Sequence, residues 1–404
     1  MTSNSTSRIQ LIDGLRGFAL LGIILAHYVG WHAGWSLPPE VGAPFLKDTL
    51  SQVVMTFDGI FITGKFFAFF SFLFGVSFGL MLVRNTENKR KFLALFAWRI
   101  ALLGFIGLVH HLHWRGDILS IYALVGFGLL LFVNVFDRVV LIVAILLILN
   151  LPTRLQDAYM TLNHIDTGTI WGSIFDEAGN KQYLQLIRKG EYWPFLEDNW
   201  NAFPKKMKFQ VLSGRIYITF GFFLLGFWFS RKGLLQHFQA HRLFFRKTLI
   251  YSASIIISLI LVAVGLQIAG VFNNQTPPPI WLNTLLATLY DLLNASMVLF
   301  YVAGISFLLS KKSWQKMLEA MAVIGKMALT SYLTQTLVGW IIFFGFGFDL
   351  LGRVSPAVGY LIGIGVFLAQ IVFSKFWLNR FYYGPVEWAW RSLTYFKVQA
   401  FLKR

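Results

Sequence analysis

Apolar runs of about twenty residues recur along the whole chain, and they decide the class of fold before any motif is read. Inside hydrocarbon a backbone has to satisfy its own hydrogen bonds, so each run is expected to be a helix that crosses a bilayer. About ten such spans are expected, near residues 11–31, 60–83, 93–112, 118–135, 138–152, 211–229, 249–272, 281–309, 321–345 and 356–377. The fifth is short, and the eighth is long enough to tilt or kink. The pattern reads as an all-α polytopic membrane protein, a bundle of about ten transmembrane helices with both termini cytoplasmic. With 56% of its 404 residues apolar and 13% charged, the chain falls outside the soluble globular class. It has no cysteine, which removes disulfides and thiolate chemistry.

The formal charge of +17 would point to nucleic acid in a soluble protein. Here topology explains it, because basic residues collect in cytoplasmic loops, and no nucleic-acid partner is expected. Arg84, Lys89, Arg90 and Lys91 follow the second span; Arg231, Lys232, Arg242, Arg246 and Lys247 follow the sixth; Lys311, Lys312 and Lys316 follow the eighth. The C-terminal end adds Lys375, Arg380, Arg391, Lys397, Lys403 and Arg404. The alternate connections carry few: Lys47, Arg115, Arg353, and none in 273–280. Ten spans put the rich loops on one side, which makes both termini cytoplasmic and the chain a multi-pass protein of the plasma (inner) membrane. Met1–Ser7 is a short polar tail, and the first run contains Arg16 with no small-residue cleavage site after it, so it is expected to stay as a helix.

Four regions follow: an N-terminal five-helix half (1–152), an extracytoplasmic loop or cap (153–210), a C-terminal five-helix half (211–377) and a cytoplasmic interfacial tail (378–404). The cap holds seven basic and seven acidic residues with Trp171, Trp193, Trp200 and Phe203. It reads either as helices lying on the membrane surface or as a lid over an acceptor. The tail stretch GPVEWAWRSLTYFK, 384–397, mixes tryptophans with basic residues as interfacial helices do. Membrane lipids are therefore expected partners. Glycines around Gly345–Gly347 and Gly359–Gly365 could pack within one bundle or across a homodimer.

Ionisable residues inside a span are costly unless they face the bundle interior, so each is a candidate for function. The stretch LRGFALLGIILAHYVGW, 15–31, carries Arg16 and His27. Their spacing is three helical turns plus about 20°, which sets them on one face about 16 Å apart along the axis. Asp13 lies one turn before Arg16 and can pair with it, and Gly14, Gly17 and Gly22 allow close approach of another helix or a ligand. A buried ion pair and a histidine bonded to a backbone carbonyl are the structural alternative. Lys65 is expected about one turn into the outer leaflet. HHLHWRGDIL, 110–119, brings His110, His111, His113 and Asp117 to the outer mouth, where Arg215 opens the sixth span. His111 is expected to face lipid headgroups. Arg99 lies at the depth of Arg16, and Lys326, Ser331 and Gln335 line one end of the ninth span. Asp291 and Asn294 are well inside the eighth. A basic cytoplasmic mouth could take an anionic donor, and a histidine-bearing outer mouth could move protons on an acceptor. His110 and His113 are one turn apart, a tolerable ligand spacing. Without a second His pair or any cysteine, no metal is expected.

Five motifs in order resemble the signatures of the YeiB-like membrane proteins, domain of unknown function 418. They are RIQLIDGLRGFALLGIIL (8–25), GKFFAFFSFLFGVSFGLML (64–82), HWRGDILSIYALVGF (113–127), GKMALTSYLTQT (325–336) and SKFWLNRFYYGPVEWAWRSLTY (374–395). That family is grouped by resemblance with transmembrane acyltransferases, including the lysosomal heparan-glucosaminide acetyltransferase. RGFALLGIILAH, 16–27, also resembles the Arg-ten residues-His pattern of the acyltransferase-three membrane O-acyltransferases. Carried over, that resemblance makes His27 the catalytic base and Arg16 a donor-side or structural residue. Many YeiB-like sequences have Asn at the position of His27, which makes the histidines of 110–113 and Asp117 its rivals.

The resemblance implies transfer of an acyl group from cytoplasmic acyl-CoA, acetyl-CoA above all, to a hydroxyl or amino group of an extracytoplasmic saccharide or glycolipid. In this reading His27, Asp117, His113 and Lys65 carry the chemistry. Arg16, Arg99, Asp13 and Lys326 hold the donor, and His110, Arg215, Asp291 and Gln335 meet the acceptor. Histidine suits the task because its pKa lies near the working pH, and Lys65 or Arg215 could stabilise an oxyanion. The reading requires a continuous polar tunnel from Arg16 to His27. A secondary transporter of a small anionic or lipid-like solute is the alternative, and a non-catalytic membrane receptor or channel subunit the third reading.

Overall fold

The computed structural model describes residues 3–30, 38–84, 89–165, 177–271 and 280–403. Trp171, Arg404 and nearly all of the 273–280 connection lie outside the described residues. Among the described residues the regular structure is helical, and the β pairing is one isolated bridge between Phe381 and Leu402. The helices are α1 Ser3–Gly30, α2 Pro39–Gly42, α3 Thr49–Phe61, α4 Phe66–Arg84, α5 Lys89–His113, α6 Leu119–Gly128, α7 Asp137–Ile148, α8 Leu151–Leu162 and α9 Glu177–Lys189. They continue as α10 Tyr192–Asn201, α11 Phe203–Leu212, α12 Arg215–Arg231, α13 Arg242–Ile268, α14 Ile280–Leu309, α15 Gln315–Lys326, α16 Ala328–Phe343, α17 Pro356–Arg380 and α18 Pro385–Tyr395.

Among the described residues six stretches are long and apolar enough to cross a membrane: Gln10–Gly30, Thr49–Val83, Lys89–His113, Arg242–Ile268, Trp281–Leu309 and Pro356–Arg380. Two bent helix pairs raise the number to as many as eight, Asp137–Leu162 with a 49° bend and Tyr192–Arg231 with a 66° bend. Each bend has a local cause. Asn150 (φ 58°) and Gly214 (φ 72°) are left-handed residues that break the helical hydrogen-bond ladder at the two joints. Leu119–Phe132 and Ala328–Phe343 are apolar but shorter, below the twenty or so residues a span needs.

The stretch read as one span over 321–345 is two helices. Met327 leaves the helical conformation (φ −112°, ψ 35°), and α16 starts afresh. Its first amides are satisfied from another part of the chain: Glu387 Oε1 on α18 accepts the Leu329 and Thr330 N–H at 2.7 and 3.0 Å, and Oε2 accepts the Thr330 hydroxyl at 2.5 Å. A carboxylate on the free amides of a helix N-terminus completes bonds the helix cannot make itself.

α1 lies at the centre, packed on α4, α15 and α17. Gly17 is one of the glycines that lets a neighbour close in: a Cβ there would stand 2.0 Å from the Met321 carbonyl oxygen on α15. α4 packs on α12 through aromatics, with Phe74 stacked on Phe223 at 4.5 Å between ring centres. These contacts face inward, whereas α13 shows mostly apolar side chains to the outside, as a lipid-facing helix does.

Candidate functional site

The polar centre forms where α5 ends, the chain turns and α6 begins. Gly107 sets the spacing. A Cβ at that position would lie 2.3 Å from the Ser120 nitrogen, so only glycine lets α6 start against α5 this closely. The turn swings Asp117 back under His110. His110 Nδ1 and Asp117 Oδ1 are 2.9 Å apart, and on the other side of the ring His110 Nε2 is 2.9 Å from the Thr336 hydroxyl on α16. Asp117 also accepts the Leu119 and Ser120 N–H groups, each at 3.0 Å, and the Ser120 hydroxyl at 2.6 Å. Lys206 on α11 completes the group, 3.4 Å from Asp117 Oδ2 and 3.1 Å from Ser120 Oγ.

Full burial would push the Asp117 carboxyl up. The His110 hydrogen bond, the Lys206 charge and the Ser120 hydroxyl together outweigh burial and hold it well below the usual carboxylate range. The carboxylate is therefore ionised and can only accept, so His110 carries a proton on Nδ1 toward Asp117. A hydroxyl, an imidazole and a buried carboxylate in series is the arrangement that activates an oxygen nucleophile.

His27 lies beside this group. Its ring centre is 5.7 Å from that of Trp114 and 6.3 Å from that of Tyr332, which is in turn 5.0 Å from that of His110. The buried Tyr332 hydroxyl accepts the Ile118 N–H at 3.4 Å and keeps its own proton to donate. The three histidines of the motif diverge. His111 is wholly buried, bonded to the Asn199 carbonyl at 3.0 Å and facing Lys206 at 3.3 Å. This corrects the expectation that it faces headgroups: the helices of the 153–210 segment cover it. His113 turns to the Val109 carbonyl at 2.7 Å and the Tyr192 hydroxyl at 3.2 Å.

Other candidates are engaged elsewhere. Lys65 is fully buried, and its ammonium donates to the Gly59 and Thr63 carbonyls at 2.6 and 2.9 Å, closing the turn between α3 and α4. Asp291 pairs with Arg154 at 2.5 Å. Gln335 bonds Gln370 at 3.1 Å and holds α16 against α17. The Arg215 guanidinium rests on Phe67, 4.4 Å from the ring centre.

At the opposite end Arg16 pairs with Asp13 at 2.7 Å and bonds Ser77 at 2.7 Å. Arg99 stacks on Trp390 of α18 at 3.7 Å, near enough to Arg16 and Arg391 to feel both charges, and Lys326 is near enough to act on Asp13. The cavity beside Arg99 holds about 30 Å³, the room of a single water. Between Arg16 and His27 the same face of α1 carries Leu20 and Ile23, 0% and 7% exposed. Side chains fill that interval, so the expected continuous tunnel is closed here.

Tyr332 and Thr336, which complete this polar group, both stand in GKMALTSYLTQT, four residues apart and so on one helical face; that spacing is the signal the sequence holds for them.

A family model described as "Protein of unknown function (DUF418)" matches residues 229–397. The chain is 30% identical to "Uncharacterized protein YxaH" of Bacillus subtilis (strain 168), over 99% of this chain and 97% of the relative. It is 28% identical to the "Uncharacterized 39.9 kDa protein in amylase 3'region" of Bacillus acidopullulyticus, over 96% and 94%. It is 27% identical to "Uncharacterized protein YeiB" of Escherichia coli (strain K12), over 95% of each. No solved structure matches the fold.

Proposed function

The chain belongs to the DUF418 family, the YeiB-like membrane proteins, and from that premise we propose that it is an acyltransferase of the plasma (inner) membrane with both termini in the cytoplasm. It moves an acyl group from acyl-CoA to a hydroxyl presented at the outer end of α5. The observation that carries this reading is the Asp117–His110–Thr336 chain of hydrogen bonds, 2.9 Å on each side of the imidazole. His110 Nε2 takes the acceptor's proton as its oxygen attacks the thioester carbonyl. The tetrahedral intermediate collapses, the C–S bond breaks, and the proton passes to the departing thiolate. Tyr332 faces the developing oxyanion, and Asp117 and Lys206 hold His110 in place. Arg16, Arg99 and Arg391 receive the CoA phosphates on the cytoplasmic side. His27 keeps a supporting role next to Tyr332. Because Leu20 and Ile23 close the interval, the donor's arm enters only when α1 parts from its neighbours.

Membrane vesicles supplied with radiolabelled acetyl-CoA test the reading. The expected result is label transferred to a membrane or periplasmic acceptor, reduced about 10²–10⁴-fold in His110→Gln and less in His27→Ala. Full transfer by His110→Gln, or solute flux through proteoliposomes without consumption of acetyl-CoA, overturns it.

A further inference from the structure

A groove of about 280 Å³ runs between α5 and α16, past His110 and Thr336 and on to His113 and Trp340. The two helices lie side by side in the same direction: His110 meets Thr336, and three residues on, the His113 carbonyl accepts the Trp340 indole N–H at 2.9 Å. The walls are apolar. Phe105, Val109 and Leu337 are 66%, 43% and 55% exposed, and they belong to a span and an apolar helix, so they face hydrocarbon rather than water. The groove surface is apolar nearly throughout, with Ile106 and Leu333 on its floor; the nearly buried His110 and Thr336 lie in its wall toward the end of α5.

We infer that the acceptor reaches His110 sideways out of the bilayer, as the headgroup hydroxyl of a membrane amphiphile whose hydrocarbon tail lies in the α5–α16 groove; this rests on the acyl-transfer reading and names its acceptor class. A free sugar would meet apolar walls with nothing to bond, whereas a tail gains contact along them. The headgroup oxygen takes the place now held by the Thr336 hydroxyl beside His110 Nε2, loses its proton there and forms the ester bond.

The purified protein in phospholipid nanodiscs, with a trace of a long-chain primary alcohol bearing a mid-chain diazirine, gives the test. On illumination, label is expected on Ile106 and Leu333 several-fold above Leu261 and Val372, although the latter two are far more exposed to lipid at 65% and 70%. Excess unlabelled alcohol should remove the groove label, and an alkane of equal length should remove less. Groove labelling no higher than at Leu261 and Val372, or equal competition by alkane and alcohol, overturns the inference. The readout needs no turnover. A protein that transfers no acetyl group can still show groove labelling, and one that transfers to a soluble sugar can lack it, so the two readings fail separately.

Discussion

Asp117 carries more of the site than any other side chain, because it does three things with two oxygens: it orients His110, caps the start of α6 and pairs with Lys206. Removing one partner of a buried charged group leaves the others without compensation, which costs roughly 3–5 kcal/mol. Asp117→Asn should therefore lower the melting temperature of the detergent-solubilised protein at neutral pH. The pH dependence has a definite sign. The folded-state pKa of Asp117 is lowered, so its contribution is present above the unfolded value of about 4 and disappears as the pH falls from there toward the folded value. The gap in melting temperature between wild type and Asp117→Asn should close over that acid range. A gap that stays constant from pH 7 to pH 3 would show that the carboxylate charge contributes nothing. At this scale the sequence named His110, His113 and Asp117 from one motif. It could not say which histidine pairs with the aspartate, because that depends on a turn whose closeness only Gly107 permits. Lys65 shows the same dependence on local detail: its buried ammonium donates to the Gly59 and Thr63 carbonyls.

Among elements, α16 is the one that hydropathy alone misplaces. Residues 321–345 are continuously apolar enough to read as one span, yet the helix restarts after Met327 because a carboxylate sixty residues away in the chain caps it. Hydropathy measures side chains, whereas this break is made by backbone amides finding Glu387, so no window over 321–345 contains the cause. α16 carries Tyr332 and Thr336, and its start is pinned by α18, which also stacks Trp390 on Arg99. The tail thus joins Arg99 to the helix that carries Tyr332 and Thr336. Glu387→Ala removes an N-terminal cap, which costs about 1–2 kcal/mol, and Glu387→Gln, which keeps one acceptor oxygen, should cost less. Thermal melts ordered wild type, Glu387→Gln, Glu387→Ala check this. Equal melts for wild type and Glu387→Ala would remove the cap from the account.

For the whole molecule, helical class and membrane residence were readable because they follow from composition and run length, which no tertiary contact can overrule. The number of crossings was less readable, since a short apolar helix packed inside a bundle has the same composition as a true span. Among the described residues six stretches qualify by length, and two bent pairs add up to two more; Leu119–Phe132 and Ala328–Phe343 decide the parity on which the proposed orientation rests. Because the chain has no native cysteine, single cysteines can settle it without background. With both termini inside, Trp193→Cys on α10 and Arg353→Cys after α16 should react in intact cells with a maleimide that cannot cross the membrane. Ala240→Cys, between α12 and α13, and Lys316→Cys on α15 should react only after permeabilisation. Labelling of Lys316→Cys and Arg353→Cys from the same side would make α16 a helix that enters and does not cross. Labelling of Trp193→Cys only after permeabilisation would invert the molecule, place His110 on the cytoplasmic side, and turn transfer across the membrane into transfer on one face of it.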